Sequence, residues 1–486
     1  MRKRESRKSG VISVFLSLCL MIILSLILSV ISSARDRSMR MRTELCVDMA
    51  MQSVFAEYNR ELLEKYDLYF IDSSYGMSSG GAYYTGEHFK DYMSYNLQPE
   101  KGQLLTLSKS LFGLSLEDAQ VRLQSLATDD KAYVYKRQAI QYVKDMYGLS
   151  LAENMLGMKK SYESSGIEDC DLDSKRESYT KKISKAAKNA RDDDGHKIKY
   201  SSPVKKIENT RSTILDSLIQ KGEVSDKQID CSDLVSSREL QKGDGLIENS
   251  EDLNSLTSNL LFDVYLTDKF SSYTRNLGYG GLAYELEYIL NGKSDDKENL
   301  ELTAAKLLAM REAANYISIK QDREKTELAK GVALAVTLIA ECPELEEYLT
   351  ELILIAWAFA ESCVDLRTLL DGGKVPLVKN SSNWVLSFTD ALAYQLHLTD
   401  GEGVAEGFDY NTYLSLFLSL ENSNTKVVRS MELIEANLRL TEGNSYFKLD
   451  NCIEFLEIEA RVKSSFGFAY SCRRHFGYMA MPPQSY

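Results

Sequence analysis

One stretch limits this chain more than any other: Val11 to Ile31, 21 residues without a charge. As a helix it reaches about 31 Å, the depth of a bilayer's hydrocarbon core. Val11, Phe15, Leu18, Ile22, Leu26 and Ile31 are the residues expected to meet lipid. Arg2, Lys3, Arg4, Arg7 and Lys8 precede the run, and Arg35, Arg37, Arg40 and Arg42 follow it. Five against four favours an internal N-terminus. Residues 1 to 42 hold these nine basic residues against Glu5 and Asp36, a net of +7. That leaves −20 for the remaining chain, out of a total of −13. So acidic a body argues against general nucleic-acid binding, which needs basic clusters.

A cleaved signal peptide is the rival reading, with Ser32 and Ala34 at small-residue positions. The run is longer than the usual apolar region of such a peptide, which favours a retained anchor. Ser13/Ser17 and Ser25/Ser29 are each one helical turn apart. They permit close helix approach or simply bond their own backbone. Two further apolar runs, Gly331–Ala340 and Leu352–Ala360, are too short to span. They are expected as buried helices of a soluble core.

From Ala34 to Tyr66 there is no Gly or Pro. Val47, Met51, Val54, Tyr58 and Leu62 recur at helical spacing, with Phe55 beside them. The anchor is therefore expected to run on as an amphipathic stem, one helix to Tyr66 of about 84 Å. Leu68–Asp72 reads as a short strand, and Glu87–Leu97 as a helix. Ala119, Val121 and Leu123 alternate with polar residues, as do Leu456, Ile458, Ala460 and Val462. These early and late strands are expected to pair.

Between them lie helix patterns: one from Asp129 or Asp130 to Tyr147, then Leu256–Tyr273, Leu282–Leu290, Asp296–Ile319, Lys325–Glu341, Glu344–Asp371, Asn383–Gln395, Tyr410–Glu421 and Lys426–Leu440. The expected fold is α+β, predominantly α. Residues 1–10 are a basic cytoplasmic tail, 11–33 the membrane helix and 34–164 the stem with an α/β segment. A polar flexible insertion at 165–255 and a helical region at 256–442 follow, and 443–486 closes an antiparallel sheet.

Sites of known chemistry are scarce. His88, His196, His397 and His475 stand at no metal-ligand spacing. There is no phosphate-binding glycine loop, Gly-x-Ser-x-Gly or His-Glu-x-x-His. Ser202-x-x-Lys205 and Ser178-x-x-Lys181 lack companion motifs, and Asp192–Gly195 lacks the ligand pattern of a calcium loop. No catalytic residue, cofactor, metal or small-molecule substrate is nominated. Eight scattered cysteines are expected mostly as free or buried thiols, although Cys170 and Cys231 could close a loop in an oxidising compartment.

The span opening Gly10-Val11-Ile12-Ser13-Val14-Phe15 is followed by Arg42-Thr43-Glu44-Leu45-Cys46-Val47-Asp48-Met49-Ala50 through Tyr58, then Glu61 to Phe70. Tyr284–Lys293, Ala356–Asp365, Gly372–Leu377 with Trp384, and more loosely Tyr410–Leu440 extend the pattern. Together they resemble the TadE/TadG-like proteins of tight-adherence (Flp-type) pilus systems, in particular a group of large bitopic members without assigned activity. The resemblance implies a single-pass, non-enzymatic extracytoplasmic component of the cell membrane, with the lipid bilayer and pilins or pilus-platform proteins as partners. Two positions depart from the pattern. Processed pilins carry Glu five residues after the Gly, where this chain has Phe15. Asp72-Ser73-Ser74-Tyr75-Gly76 lacks the last Ser of an Asp-x-Ser-x-Ser metal motif. The alternative expectation is an anchored sensor or ligand-binding ectodomain, with a cavity among the helices of 256–440.

Overall fold

The computed structural model describes residues 3–98, 112–189, 202–211, 213–219, 224–244, 252–393, 407–465 and 467–478. Helix α1 runs unbroken from Lys3 to Phe55, about 80 Å at 1.5 Å per residue. It passes Ser32–Ser33 without a kink. It does not continue to Tyr66 as expected. Tyr58 forms an isolated bridge to Ile71, and the Asn59 amide donates to the Phe70 carbonyl at 2.9 Å. Asn59 then caps α2 (Arg60–Tyr66), its side chain accepting from the Leu62 amide. An Asn at the join offers the backbone this alternative to a continuous helix.

The sheet is antiparallel. β1 (Ile71–Asp72) and β2 (Leu114–Leu126) come early, β3 (Cys452–Ser464) and β4 (Ala469–Gly477) late. β3 is central, between β2 and β4, and β1 pairs its first residues. Ala119 faces Ala460 and Val121 faces Ile458, so the early and late strands meet as expected. Leu456, Ile458, Ala460 and Val462 point to the buried face. There α3 (Ala82–Leu97) and the second half of α1 cover them with Val47, Met51, Val54, Phe89 and Met93. The other face is wet and carries cross-strand pairs such as Arg122–Glu459 at 2.8 Å. Such exposed pairs contribute little stability.

The described residues between β2 and β3 form one mainly helical body. In chain order its helices are α4 (Asp129–Tyr147), α5 (Ser150–Ser164), α6 (Leu172–Asn189), α7 (Lys205–Thr210), α8 (Ile214–Ile219) and α9 (Leu256–Lys269). After them come α10 (Glu285–Asn291), α11 (Asp296–Gln321), α12 (Arg323–Ile339), α13 (Glu346–Leu370), α14 (Phe388–Ala393), α15 (Tyr410–Leu420) and α16 (Ser423–Arg439). The molecule is thus predominantly helical with a small antiparallel sheet, α+β. α13 is buried on nearly every side from Leu349 to Leu370, at the centre against α11 and α12.

Four local expectations need correction. Leu352–Ala360 is buried as expected, but Gly331–Ala340 is not: α12 packs through Ala329, Ala333 and Thr337, and leaves Ile339 79% exposed. Small residues bring α12 close to α13, and the large ones are turned outward. The polar stretch 165–255 is not a bare linker where it is described. α6, α7 and α8 bury Ile183, Ile207, Ile214 and Leu218, one to three apolar residues per helix, too few for a visible period. Asp192–Gly195, His196 and His397 lie outside the described residues. Asp129 does not cap α4 by its side chain. It accepts instead from the amides of Leu126 (2.7 Å) and Gly243 (2.9 Å). Finally, within Asn383–Gln395 only Phe388–Ala393 is helical among the described residues.

Candidate functional site

The anchor residues Val11, Phe15, Leu18, Ile22, Leu26 and Ile31 are each 54–71% exposed. The apolar window of α1 is nowhere buried by the chain. This single helix is long and apolar enough to cross a membrane, and is compatible with a single-pass anchor. Water would meet sixteen large apolar side chains within the 21 residues from Val11 to Ile31, far beyond an ordinary exposed patch. The hydroxyls of Ser13, Ser17 and Ser25 donate to the carbonyls of Gly10, Val14 and Ile22. They satisfy themselves within the helix.

The stem residues divide between two cores. Val47, Met51, Val54 and Phe55 are buried with the sheet. Leu62 belongs to the helical body. Tyr58 is half-buried at the break, its ring 5.8 Å from that of Tyr69. Polar ties fasten the stem to β4. Arg474 meets Asp48 at 3.2 Å and Glu44 at 3.5 Å, and the Tyr470 hydroxyl donates to Glu44 at 2.7 Å. At the helix end Phe55 packs on Phe476, with centroids 4.7 Å apart. Glu57 accepts from Tyr92 (2.7 Å) and Tyr75 (3.1 Å) and lies 3.0 Å from His88 Nδ1. Closing strands were expected within 443–486, but β4 was not delimited, because its inward row, Tyr470-x-Cys472-x-Arg474-x-Phe476, interrupts the apolar period with an arginine.

Two buried polar clusters in the helical body also went unread. In the first, Arg311 is fully buried and bonds Asp365 (3.0 Å), Asn315 (3.1 Å), the Leu377 carbonyl (2.7 Å) and Tyr413 (3.1 Å). Lys379 lies 2.6 Å from Asp365 and also pairs with Glu361. Burial opposes ionisation of Asp365, but Lys379 and Arg311 outweigh it and hold the carboxyl below its ordinary range. Two cations therefore face two anions, and Arg311 stitches α11 to α13 and to the segment at 376–377.

The second cluster has no such balance. Glu285 accepts from the Ser271 amide at 2.7 Å and pairs with Asn437. Glu287 accepts from Tyr410 (2.7 Å) and the Tyr273 amide (3.0 Å), while its Oε2 has no partner. Neither forms an ion pair among the described residues. Burial pushes both carboxyls up to about 7. Among the described residues no group of three His, Cys, Asp or Glu side chains could hold a metal ion. All eight cysteines are free, Cys170 and Cys231 included. Asp72 is buried and accepts from the Ser74 amide at 2.9 Å, closing the turn after β1.

One open cavity of about 730 Å³ lies between α5, α9 and α15. Its walls are mostly apolar, with Met155, Met158, Val264 and Phe408, and Asp268 and Arg275 line it as well. That volume falls in the range of small-molecule sites.

No curated protein and no solved structure matches the chain. Residues 193–464 match a family of unknown function, DUF5702. The matched part holds most of the helical body, both buried polar clusters and β3, and leaves out α1 and β4. It is more than half of the length, and the chain belongs to the family of unknown function DUF5702.

Proposed function

We propose that this chain is a membrane-anchored, non-enzymatic extracytoplasmic component of a tight-adherence-like pilus or secretion apparatus, either minor pilin-like or an assembly protein. One observation carries the reading. A single rigid helix has a bare apolar half and a second half fixed to a sheet of the same chain. Such a lever transmits position between a bilayer and an outer body without any chemistry. The resemblance of Gly10–Phe70 to TadE/TadG-like proteins supplies the kind of apparatus. Five basic residues before the span against four after it support a cytoplasmic N-terminus and an outer body. The acidic body then presents its wet faces to pilins or platform proteins.

The orientation is tested with an impermeant maleimide on intact cells. Cys472 is buried, with its thiol pushed up by burial, and is unsuited to this; Cys231 is exposed. The reading expects Cys231 to react from outside; labelling only after lysis would overturn the orientation. The partner is tested by a photo-crosslinking residue at Leu45, which is exposed on the stem. Adducts with a pilin or platform protein are expected. Adducts with neither would remove the assembly role.

A further inference from the structure

The cavity between α5, α9 and α15 carries a chemistry that the anchoring role does not use. Its two charged residues are unlike in state. Asp268 is already satisfied: Tyr142 and Tyr147 each donate to its carboxylate at 3.0 Å, and Lys269 lies 3.3 Å away. Among the described residues the Arg275 guanidinium makes one hydrogen bond, to the Asp268 backbone carbonyl. It forms no ion pair among the described residues, which leaves most of its five N–H donors for another acceptor. Asn154, Ser161, Thr267, Thr412 and Ser415 also line the cavity, but most of its wall is apolar and adaptable. Met155 and Met158 are flexible thioethers that fit chains of varying shape, and Val264 and Phe408 complete a greasy floor.

Gly157 is the second observation. It sits inside α5, where a glycine costs about 1 kcal/mol against alanine. It lines the cavity, its φ is not left-handed, and a Cβ placed there would meet nothing within 4 Å. Neither backbone conformation nor packing inside the chain demands a glycine. What its missing side chain provides is room in the cavity.

We propose that this cavity binds a single-chain amphipathic anion of the fatty-acid type, its carboxylate on Arg275 and its chain along Met155, Met158 and Val264. A guanidinium over a carboxylate gives charge-assisted hydrogen bonds, and the apolar wall takes the tail. The proposal is independent of the pilus reading and holds for any partner of the body.

The test uses the full-length chain in phosphatidylcholine nanodiscs, with radiolabelled palmitate and hexadecanol as probes and empty discs as the baseline. Saturable binding of one palmitate per chain is expected, with hexadecanol at least tenfold weaker for want of the charge. Arg275→Gln should weaken palmitate at least tenfold and leave hexadecanol unchanged. Gly157→Phe should abolish binding of both probes with the melting temperature kept or raised. If Arg275→Gln does not fold, the palmitate-to-hexadecanol ratio on the natural chain decides. Palmitate uptake equal to empty discs, equal affinity for the two probes, or undiminished binding by a folded Gly157→Phe would each overturn the proposal.

Discussion

The two halves of α1 share one backbone but differ in their supply of apolar side chains and in their surroundings. From Val11 to Ile31 every large apolar residue faces outward. From Val47 to Phe55 the apolar row is closed over by α3, β3 and β4. The first half has no periodicity to mark an inside, whereas the second has one polar and one apolar side. Uniform apolarity suits a helix whose solvent is lipid; a stripe suits a helix with one protein neighbour. A similar contrast runs through the rest of the molecule. The core under the sheet is assembled from aliphatic and aromatic residues, while the helical body buries Arg311, Lys379, Glu361, Asp365, Glu285 and Glu287.

The largest effect is expected where the stem is closed. Val54→Asp puts an unpaired charge at a fully buried position, at a cost of several kcal/mol. Thermal unfolding should show the sheet lost, and an unchanged melting temperature would mean that the stem is not held as described. Arg311→Met leaves Asp365 and Glu361 sharing Lys379 alone, and should destabilise by about 3–5 kcal/mol. Denaturant titration gives that number. Ile22→Lys should act on the other half only. It makes membrane insertion about 3–4 kcal/mol less favourable and leaves the circular dichroism of the body unaltered. A change of both, or of neither, would erase the distinction between the halves.

A smaller effect comes from the unbalanced carboxyls. Glu287 titrates near 7 in the folded chain against an ordinary 4.5. Between those values the folded chain holds a proton that the unfolded chain has released. Stability from this group is therefore full below about 4.5, falls as pH rises toward 7 and is level beyond. Glu287→Gln should flatten that part of the stability profile, read by denaturant midpoints from pH 4.5 to 8. An equally steep profile in the variant would assign the slope elsewhere. Asp365 has the opposite sign, and its stabilisation is lost only as pH falls below its ordinary range.

The anchor, the strand pairing and most of the long helices were legible because each is written as a period or an unbroken run. Ala119-x-Val121 and Ile458-x-Ala460 alternate, and they pair in the structure. The end of α1 was not legible, since 56–59 is helix-compatible and the break depends on Phe70 and Ile71 arriving from elsewhere. The outward face of α12 was hidden for a related reason: Gly331–Ala340 is apolar throughout, and only its neighbour decides which side is covered. The buried ionic groups are invisible to periodicity. Glu285 and Glu287 lie in Tyr284–Lys293, and Glu361 and Asp365 in Ala356–Asp365. These blocks belong to the resemblance to TadE/TadG-like proteins, but nothing in their spacing marks the charges as buried.

Alkaline carbonate extraction of membranes from expressing cells, combined with intact mass, tests most directly whether α1 keeps its bare half in lipid. The full-length chain is expected in the membrane pellet, and the Ile22→Lys chain at least partly in the supernatant. Full-length natural chain in the supernatant, or a mass showing cleavage near Ala34, would contradict the account.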